Sequence, residues 1–278
     1  LDFEHDPLRF LLIRLSSCKH ALVVSLSPLC ADSITLDNLV REISGSYGER
    51  SKDEKRNGDI LQYADYCAWL EEIFDKNDQD GLSGRGYWQS QNQLSGSTTA
   101  LPFEYKDAEG NQGPPRSFVS TLRPGTVAAL DNMARNHGAS ASDVLLACWL
   151  TLLWRFTGQR EIVSSVEFPG RKYDELGYAF GLFAQFLPLR CPFDADDRFS
   201  RILAHVNQAV REAEKWQEYF AHEHENDPDR IRIGFGYEDR PSKQAAAGVS
   251  FSIIEKHVSI GRFGIRLSCV RTSVSLAA

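Results

Sequence analysis

Ser27-Pro28-Leu29-Cys30-Ala31-Asp32-Ser33 sits at a junction between two segments of opposite periodicity. Before it, Ala21 to Leu26 is a short apolar run with β-branched residues, which predicts a buried strand. After it, Leu36, Leu39, Val40, Ile43 and Tyr47 recur at helical spacing. Asp32 or Ser33 is placed to cap that helix, and Gly45 and Gly48 are placed to end it. An earlier run, Phe10 to Leu15, predicts a second buried strand, with Cys18-Lys19-His20 in the turn between the two.

Working outward, a second helix is expected from about Asp59 to Phe74, with Ile60, Tyr63, Cys67 and Leu70 at helical spacing. Asp75 to Gly86 reads as a polar loop and Tyr87-Trp88 as a short helix. Ser95 to Pro115, rich in Gly, Ser, Thr and Pro, reads as a link between lobes. The second half predicts a strand near Phe118 to Leu122 and a helix from Pro124 to Asn136, with Gly138 at its end. Ser140 and Asp143 form a capping-box pattern that opens a strongly apolar helix to Phe156, closed by Gly158. Ile162 to Phe168 predicts a strand leading into Pro169-Gly170-Arg171, and Asp197 to Phe220 a further helix. Alternation at Ile231, Ile233, Phe235 and Tyr237, and at Phe263, Ile265, Leu267 and Cys269, predicts two closing strands, with Val249 to Ile254 between them. Mixed strands and helices throughout mean a layered α/β or α+β fold.

The 278 residues suffice for one large domain or two modest ones. With 42% apolar and 25% charged residues the composition is that of an ordinary globular protein. The net charge of −7, with basic residues scattered, argues against nucleic acid as a partner. The charge-dense stretch Glu49 to Asp59 mixes both signs and reads as a solvated loop. The longest apolar stretch, Val144 to Phe156, is too short to span a bilayer, so no membrane partner is expected. Six cysteines without a C-x-x-C pair fit free thiols in a reducing cytoplasm. The chain opens without an initiator Met or signal peptide, which suggests a piece of something larger.

The frame around residues 27–33 resembles the condensation domains of nonribosomal peptide synthetases, whose signature is His-His-x-x-x-Asp-Gly between a strand and a helix. Further stretches resemble the family in the same order: Leu1 to Arg9, Leu61-Gln-Tyr-Ala-Asp-Tyr-Cys-Ala-Trp69, Tyr87-Trp88 with Leu101-Pro102, Arg155-Phe-Thr-Gly-Gln159 with Ile162-Val163, and Gly181-Leu-Phe-Ala-Gln-Phe-Leu-Pro-Leu-Arg190. The resemblance implies an α/β fold of the two-lobed, chloramphenicol-acetyltransferase-like kind, a sandwich with a cleft between lobes. It divides the chain into a remainder of the N-terminal lobe at 1–113 and an incomplete C-terminal lobe at 114–278. The family's opening strands and its closing exchanged strand have no counterpart before Leu1 or after Leu276.

The same resemblance locates the chemistry. Ser27 and Pro28 stand where the two histidines belong, Asp32 keeps the aspartate, and Ser33 replaces the glycine. The second histidine is the family's catalytic residue, and proline offers neither a titratable group nor an N–H. Positioned proton transfer contributes on the order of a hundred- to ten-thousand-fold, so its loss removes the best-defined part of the rate. The resemblance pairs Asp32 with Arg171, against the simpler reading of Asp32 as a helix cap alone. Cys30, Gln185 and Trp216 are candidates for lining the cleft; Gln185 replaces the family's asparagine, and Trp216-Gln217 a typical His-Gln. His20 is expected far from Ser27 at the other end of its strand, Cys30 to be an inert thiol in an apolar stretch, and Ser27 to lack an adjacent base. His222-Glu-His224-Glu alternates ligand types but has no identifiable third ligand, so no metal is expected. The partners implied are donor and acceptor peptidyl carrier protein domains, each presenting its thioester on a phosphopantetheine arm. Two readings follow. One is a condensation domain impaired or repurposed for docking or for recruiting a tailoring enzyme. The other is an active acyltransferase working by positioning or through an unusual residue. A heterocyclisation pattern, D-x-x-x-x-D-x-x-S, matches Asp32 and approximately Thr35 but puts Ser27 at its first Asp.

Overall fold

The computed structural model describes residues 8–49, 61–75, 79–93, 101, 116–220, 232–240, 244–257, 263–272 and 275–278. The opening segment at 1–7, Ile60, most of the 95–115 link with the 113/114 division, the His222–His224 run and Ile231 lie outside these residues. The elements in chain order are β1 (Leu8–Arg14), β2 (His20–Leu26), α1 (Ser33–Glu49), α2 (Tyr63–Asp75), α3 (Gln79–Gln93), α4 (Pro124–Asn136), α5 (Ala141–Thr157), β3 (Glu161–Phe168), β4 (Gln185–Pro192), α6 (Phe199–Lys215), β5 (Ile233–Asp239), β6 (Gln244–Ala246), β7 (Val249–Phe251), β8 (Ile265–Arg271) and β9 (Leu276–Ala277). They group into two compact units. The first gathers 1–71, 169–185 and 242–261; the second gathers 72–168, 186–241 and 262–278.

In the first unit β1 and β2 form an antiparallel ribbon in register from Leu8↔Leu26 to Arg14↔His20. The strands form where the apolar runs predict them, but the expected burial does not hold: Phe10, Leu11, Leu12, Leu22 and Val23 are exposed among the described residues. Apolar β-branched runs specify extended backbone, whereas burial requires a covering layer that this two-stranded ribbon does not itself provide.

Helix α1 does not end at Gly45 but continues through Gly48 to Glu49. A glycine costs a helix interior about 1 kcal/mol, and tertiary contacts offset it here. A Cβ on Gly48 would lie only 3.1 Å from the Ala246 Cβ, so the helix backs closely onto β6. Ser44 Oγ donates to Gln244 Oε1 at 2.5 Å, and Tyr47 meets Phe251 edge-on. The buried positions of α1 are polar: Thr35, Asp37, Asn38 and Ser44. The apolar stripe that announced the helix is only half-buried, with Tyr47 exposed.

The second unit is built on a five-stranded sheet in the order β4-β3-β5-β8-β9. β3, β5 and β8 run parallel, and β9 is antiparallel to β8. One face of the sheet, including Val166, Phe168, Leu187, Leu189, Ile233, Phe235 and Cys269, joins the hydrophobic core formed with α5 and α6. Helix α5 has the reciprocal capping box: Asp143 N donates to Ser140 Oγ at 3.0 Å and Ser140 N to Asp143 Oδ2 at 2.8 Å. Gly158 ends it at φ +66°, a left-handed conformation that favours glycine. Its exterior is not apolar core, since Cys148, Leu152 and Phe156 face outward.

Two further expectations are corrected. The polar stretch 75–86 is not a loop up to Gly86, because α3 begins at Gln79 and absorbs the short helix expected around Trp88. Gly84 leaves the space that the Tyr219 ring occupies, and Trp88 Nε1 donates to Trp216 O at 2.7 Å. These tertiary contacts hold a helix that intrinsic propensity opposes. The strand expected near 118–122 is shorter than expected: only 120–122 pairs, antiparallel to the C-terminus, with Ser120 N donating to Ala278 O at 2.8 Å, Ala278 N to Ser120 O at 2.9 Å and Leu122 N to Leu276 O at 2.8 Å, while Phe118 and Val119 are exposed. No single helix among the described residues is long and apolar enough to cross a membrane.

Candidate functional site

The junction at 27–33 is fixed by the groups that leave β2 and enter α1. Ser27 is buried, and its Oγ accepts from Leu29 N at 3.3 Å while its carbonyl accepts from Cys30 N at 3.0 Å. These local bonds make the turn, and they use the Ser27 hydroxyl as an acceptor rather than as a nucleophile. Pro28, Leu29 and Cys30 are exposed. The expectation of Cys30 as a core thiol is therefore corrected, because an apolar flank does not by itself provide cover. His20 pairs with Arg14 at the opposite end of β2.

Asp32 is the centre of a buried polar network. Its Oδ1 accepts from Thr35 N at 2.7 Å, which caps α1. Arg171 Nη2 donates to Oδ1 at 3.0 Å and to Oδ2 at 3.2 Å. Phe183 N and Ala184 N donate to Oδ2 at 3.0 and 3.2 Å. The Asp32 and Arg171 side chains retain only 1% and 4% exposure. Both carboxylate oxygens are thus fully engaged, and Asp32 has no lone pair left for taking a proton from a substrate. Capping and ion pairing are made by the same carboxylate, so the two readings of Asp32 do not compete.

Arg171 is held as tightly. Nη1 donates to Leu176 O at 2.5 Å and to Ala179 O at 2.8 Å, Nη2 also reaches Thr35 Oγ1 at 3.0 Å, and the guanidinium lies 4.2 Å over the Phe183 ring. A planar, always charged fork suits such a set of acceptors, which a lysine could not match. Gly170, at φ +66°, lets the chain turn into this position, since any Cβ there would collide with the Phe183 carbonyl.

Residues that the sequence did not single out complete the pin. Thr35 Oγ1 donates to Gly181 O at 2.7 Å and accepts from Gly181 N at 3.1 Å. Asn38 Nδ2 donates to Gly177 O at 2.9 Å. Lys256 Nζ donates to Ser33 O at 3.1 Å and Asp37 Oδ1 at 2.9 Å, in a pair exposed by only 3% and 10%. The available signal was the spacing of Asp32, Thr35 and Asn38, three apart on one helix face. It is overlooked when helix faces are sought by apolarity alone. Tyr63 Oη donates to Leu182 O at 2.9 Å; burial first, then the neighbouring Cys67, push its hydroxyl up to about 12.

Of the proposed lining residues, Cys30 and Gln185 belong to the first unit, Gln185 half-buried as the first residue of β4. Trp216 belongs to the second, at the C-terminus of α6, where Lys215 Nζ lies 4.4 Å over its ring. Among the described residues no three His, Cys, Asp or Glu side chains are grouped to hold a metal.

The fold is of the chloramphenicol-acetyltransferase-like class, that of the condensation domains on which this chain superposes. The condensation-domain family model matches residues 1–227, and the chain belongs to that family. Tyrocidine synthase 2 of Brevibacillus parabrevis is 26% identical over 231 residues, which is 78% of this chain and 6% of that protein. Among solved structures, the SgcC5 protein of Streptomyces globisporus superposes with a TM-score of 0.77 at 18% identity over 98% of this chain and 65% of that one. The X-domain in complex with OxyB from teicoplanin biosynthesis superposes with a TM-score of 0.73 at 22% identity over the whole of this chain and 65% of that one. The chain therefore spans a small fraction of the synthase and about two thirds of the solved domains.

Proposed function

We propose that this chain is part of a condensation-type domain of a nonribosomal peptide synthetase that engages carrier-tethered thioesters without the usual proton-transfer chemistry. The observation that carries this reading is the coexistence, four residues apart, of Pro28 and a fully formed Asp32 network. Condensation domains of these synthetases work with carrier protein domains, which bring the phosphopantetheine arm. In this reading the partners are a donor and an acceptor peptidyl carrier protein domain in the cytoplasm. Cys30 and Gln185 in the first unit and, separately, Trp216 in the second are the proposed substrate-facing residues, and the lobes divide near 113/114. The framework that orients β2, α1 and the 169–185 segment is retained, whereas position 28 supplies no side chain that can move a proton. A docking or recruiting role follows, and the likeness to an X-domain solved in complex with OxyB supports recruitment of a tailoring enzyme.

The test is a reconstitution of the full-length parent domain with loaded donor and acceptor carriers, beside a Pro28→His variant, read as acceptor-bound product by intact mass spectrometry. Carrier binding without product from the native sequence is expected. Product at a rate comparable to that of Pro28→His would overturn the docking reading in favour of an enzyme that works by positioning.

A further inference from the structure

The second unit's sheet has a face that the hydrophobic core does not use. Because Val166 and Phe168, Leu187 and Leu189, Ile233 and Phe235, and Cys269 join the core, their strand neighbours point the other way. On that opposite face β5 carries Gly234 and Gly236, two successive positions with no side chain. A glycine in a strand interior weakens it and marks a place where something approaches the backbone closely. A Cβ on Gly236 would lie 2.6 Å from Glu167 Oε2 and 2.8 Å from Arg266 Nη2. One on Gly234 would lie 2.9 Å from the Phe263 ring and 3.1 Å from Arg266 Cγ. The two glycines thus form a bare strip on which Arg266 lies flat, reaching from β8 across β5 to β3.

On this strip Arg266 Nη2 donates to Glu167 Oε2 at 2.5 Å. The guanidinium carbon is 5.2 Å from the Phe186 ring centroid and 5.8 Å from that of Phe263. Arg266 Nε is buried and has no hydrogen-bond partner among the described residues, and the side chains of Arg266 and Glu167 keep 24% and 18% exposure. Only one of the five donors of this guanidinium is used among the described residues. An aromatic-flanked, half-dry guanidinium matches a carboxylate, which can accept two parallel N–H bonds.

We propose that this face binds a carboxylate-bearing small molecule or side chain, with Arg266 as the anchor, Phe186 and Phe263 as the apolar flanks, and Glu167 as the internal carboxylate that holds Arg266 in place until the ligand competes for it. At 234 and 236 the glycines leave the space that the Arg266, Glu167 and Phe263 side chains fill, which is what lays the guanidinium against the sheet. The site does not depend on the carrier-thioester reading, since its probe is a free carboxylate and its readout is binding.

The test uses the 278-residue chain with nitrogen-15-labelled arginine, titrated with succinate, with its neutral analogue succinamide and with inorganic phosphate. A saturable shift of the Arg266 Nε–H resonance with succinate, and none with succinamide, is expected. Arg266→Gln should abolish succinate binding measured by calorimetry. Glu167→Gln removes the competing internal charge and should tighten succinate binding about tenfold, as expected for the loss of one charge-assisted hydrogen bond in competition. The absence of a saturable shift, an equal response to succinamide or phosphate, or unchanged affinity in Glu167→Gln would each overturn the proposal. The last arm tests it even if Arg266→Gln does not fold.

Discussion

Replacing Asp32 by alanine removes one carboxylate on which four donor groups converge: the amides of Thr35, Phe183 and Ala184, and the Arg171 guanidinium. Loss of the helix cap alone costs about 1 kcal/mol. Leaving Arg171 buried without its counter-charge costs about 3–5 kcal/mol. These terms share partners and do not add, so the expected cost is about 4 kcal/mol, comparable to a large part of a domain's total stability. Hydrogen exchange at the Phe183 and Ala184 amides reports it locally. If these amides open with the network, about 4 kcal/mol corresponds to roughly thousandfold faster exchange. A double-mutant cycle isolates the charge term: Asp32→Asn with Arg171→Met should cost less than the sum of the two single substitutions by about 2 kcal/mol, because removing both partners leaves no stranded charge. A cost for Asp32→Ala below about 1 kcal/mol, or additivity within about 0.3 kcal/mol in the cycle, would refute the claim that this ion pair holds the junction.

Lys256→Met removes the buried ammonium that donates to Asp37 Oδ1 and to the Ser33 carbonyl; a loss of about 2 kcal/mol in urea unfolding is expected, with a smaller loss for Lys256→Met combined with Asp37→Leu. Gly170→Ala should yield little folded protein in circular dichroism and gel filtration, because the new Cβ meets the Phe183 carbonyl at a left-handed φ. Asp131 is held below the usual carboxylate range, chiefly by its hydrogen bonds from Arg271. Its folded value is depressed, so its stabilisation is present above the unfolded value of about 3.9 and is lost as pH falls through the folded value. Asp131→Asn should therefore lower stability at about pH 7 by under about 1 kcal/mol, the partners being partly exposed, and by less at about pH 3, below the unfolded value. Urea titrations at the two pH values check the sign.

The sequence made some features plain and hid others for physical reasons. Local chemistry was legible wherever one or two residues decide the geometry. Pro124 begins α4, Ser140 and Asp143 exchange capping bonds, and Gly158 ends α5 in a left-handed turn. The structure also brings Asp32 and Arg171 together, a pairing suggested by the family resemblance rather than by spacing. Features set by distant neighbours were not legible. Gly84 in α3 and Gly48 in α1 read as breakers until the Tyr219 ring and Ala246 are seen against them. The bare strip at Gly234 and Gly236 has no meaning in the sequence until Arg266 lies across it. The β1–β2 ribbon shows the converse: its residues specify strands correctly, yet whether they are buried depends on groups outside the ribbon.

The pieces of the first unit lie far apart in the chain, and this sets an order of events at the ribosome. Arg171 is 139 residues beyond Asp32, and Lys256 is 223 residues beyond Ser33. At a synthesis rate of about 5–20 residues per second, Asp32 is synthesised roughly 7–28 seconds before its counter-ion exists. During that interval α1 can form and be capped, but its polar face has nothing to bind, and the apolar β1–β2 ribbon is already outside the exit tunnel. Closure of the first unit is therefore a late, non-local event that must wait for the Lys256 segment, the kind of long-range pairing that folds slowly. Nascent chains arrested before residue 256 should be strong clients of holdase chaperones, and release should coincide with translation of that segment.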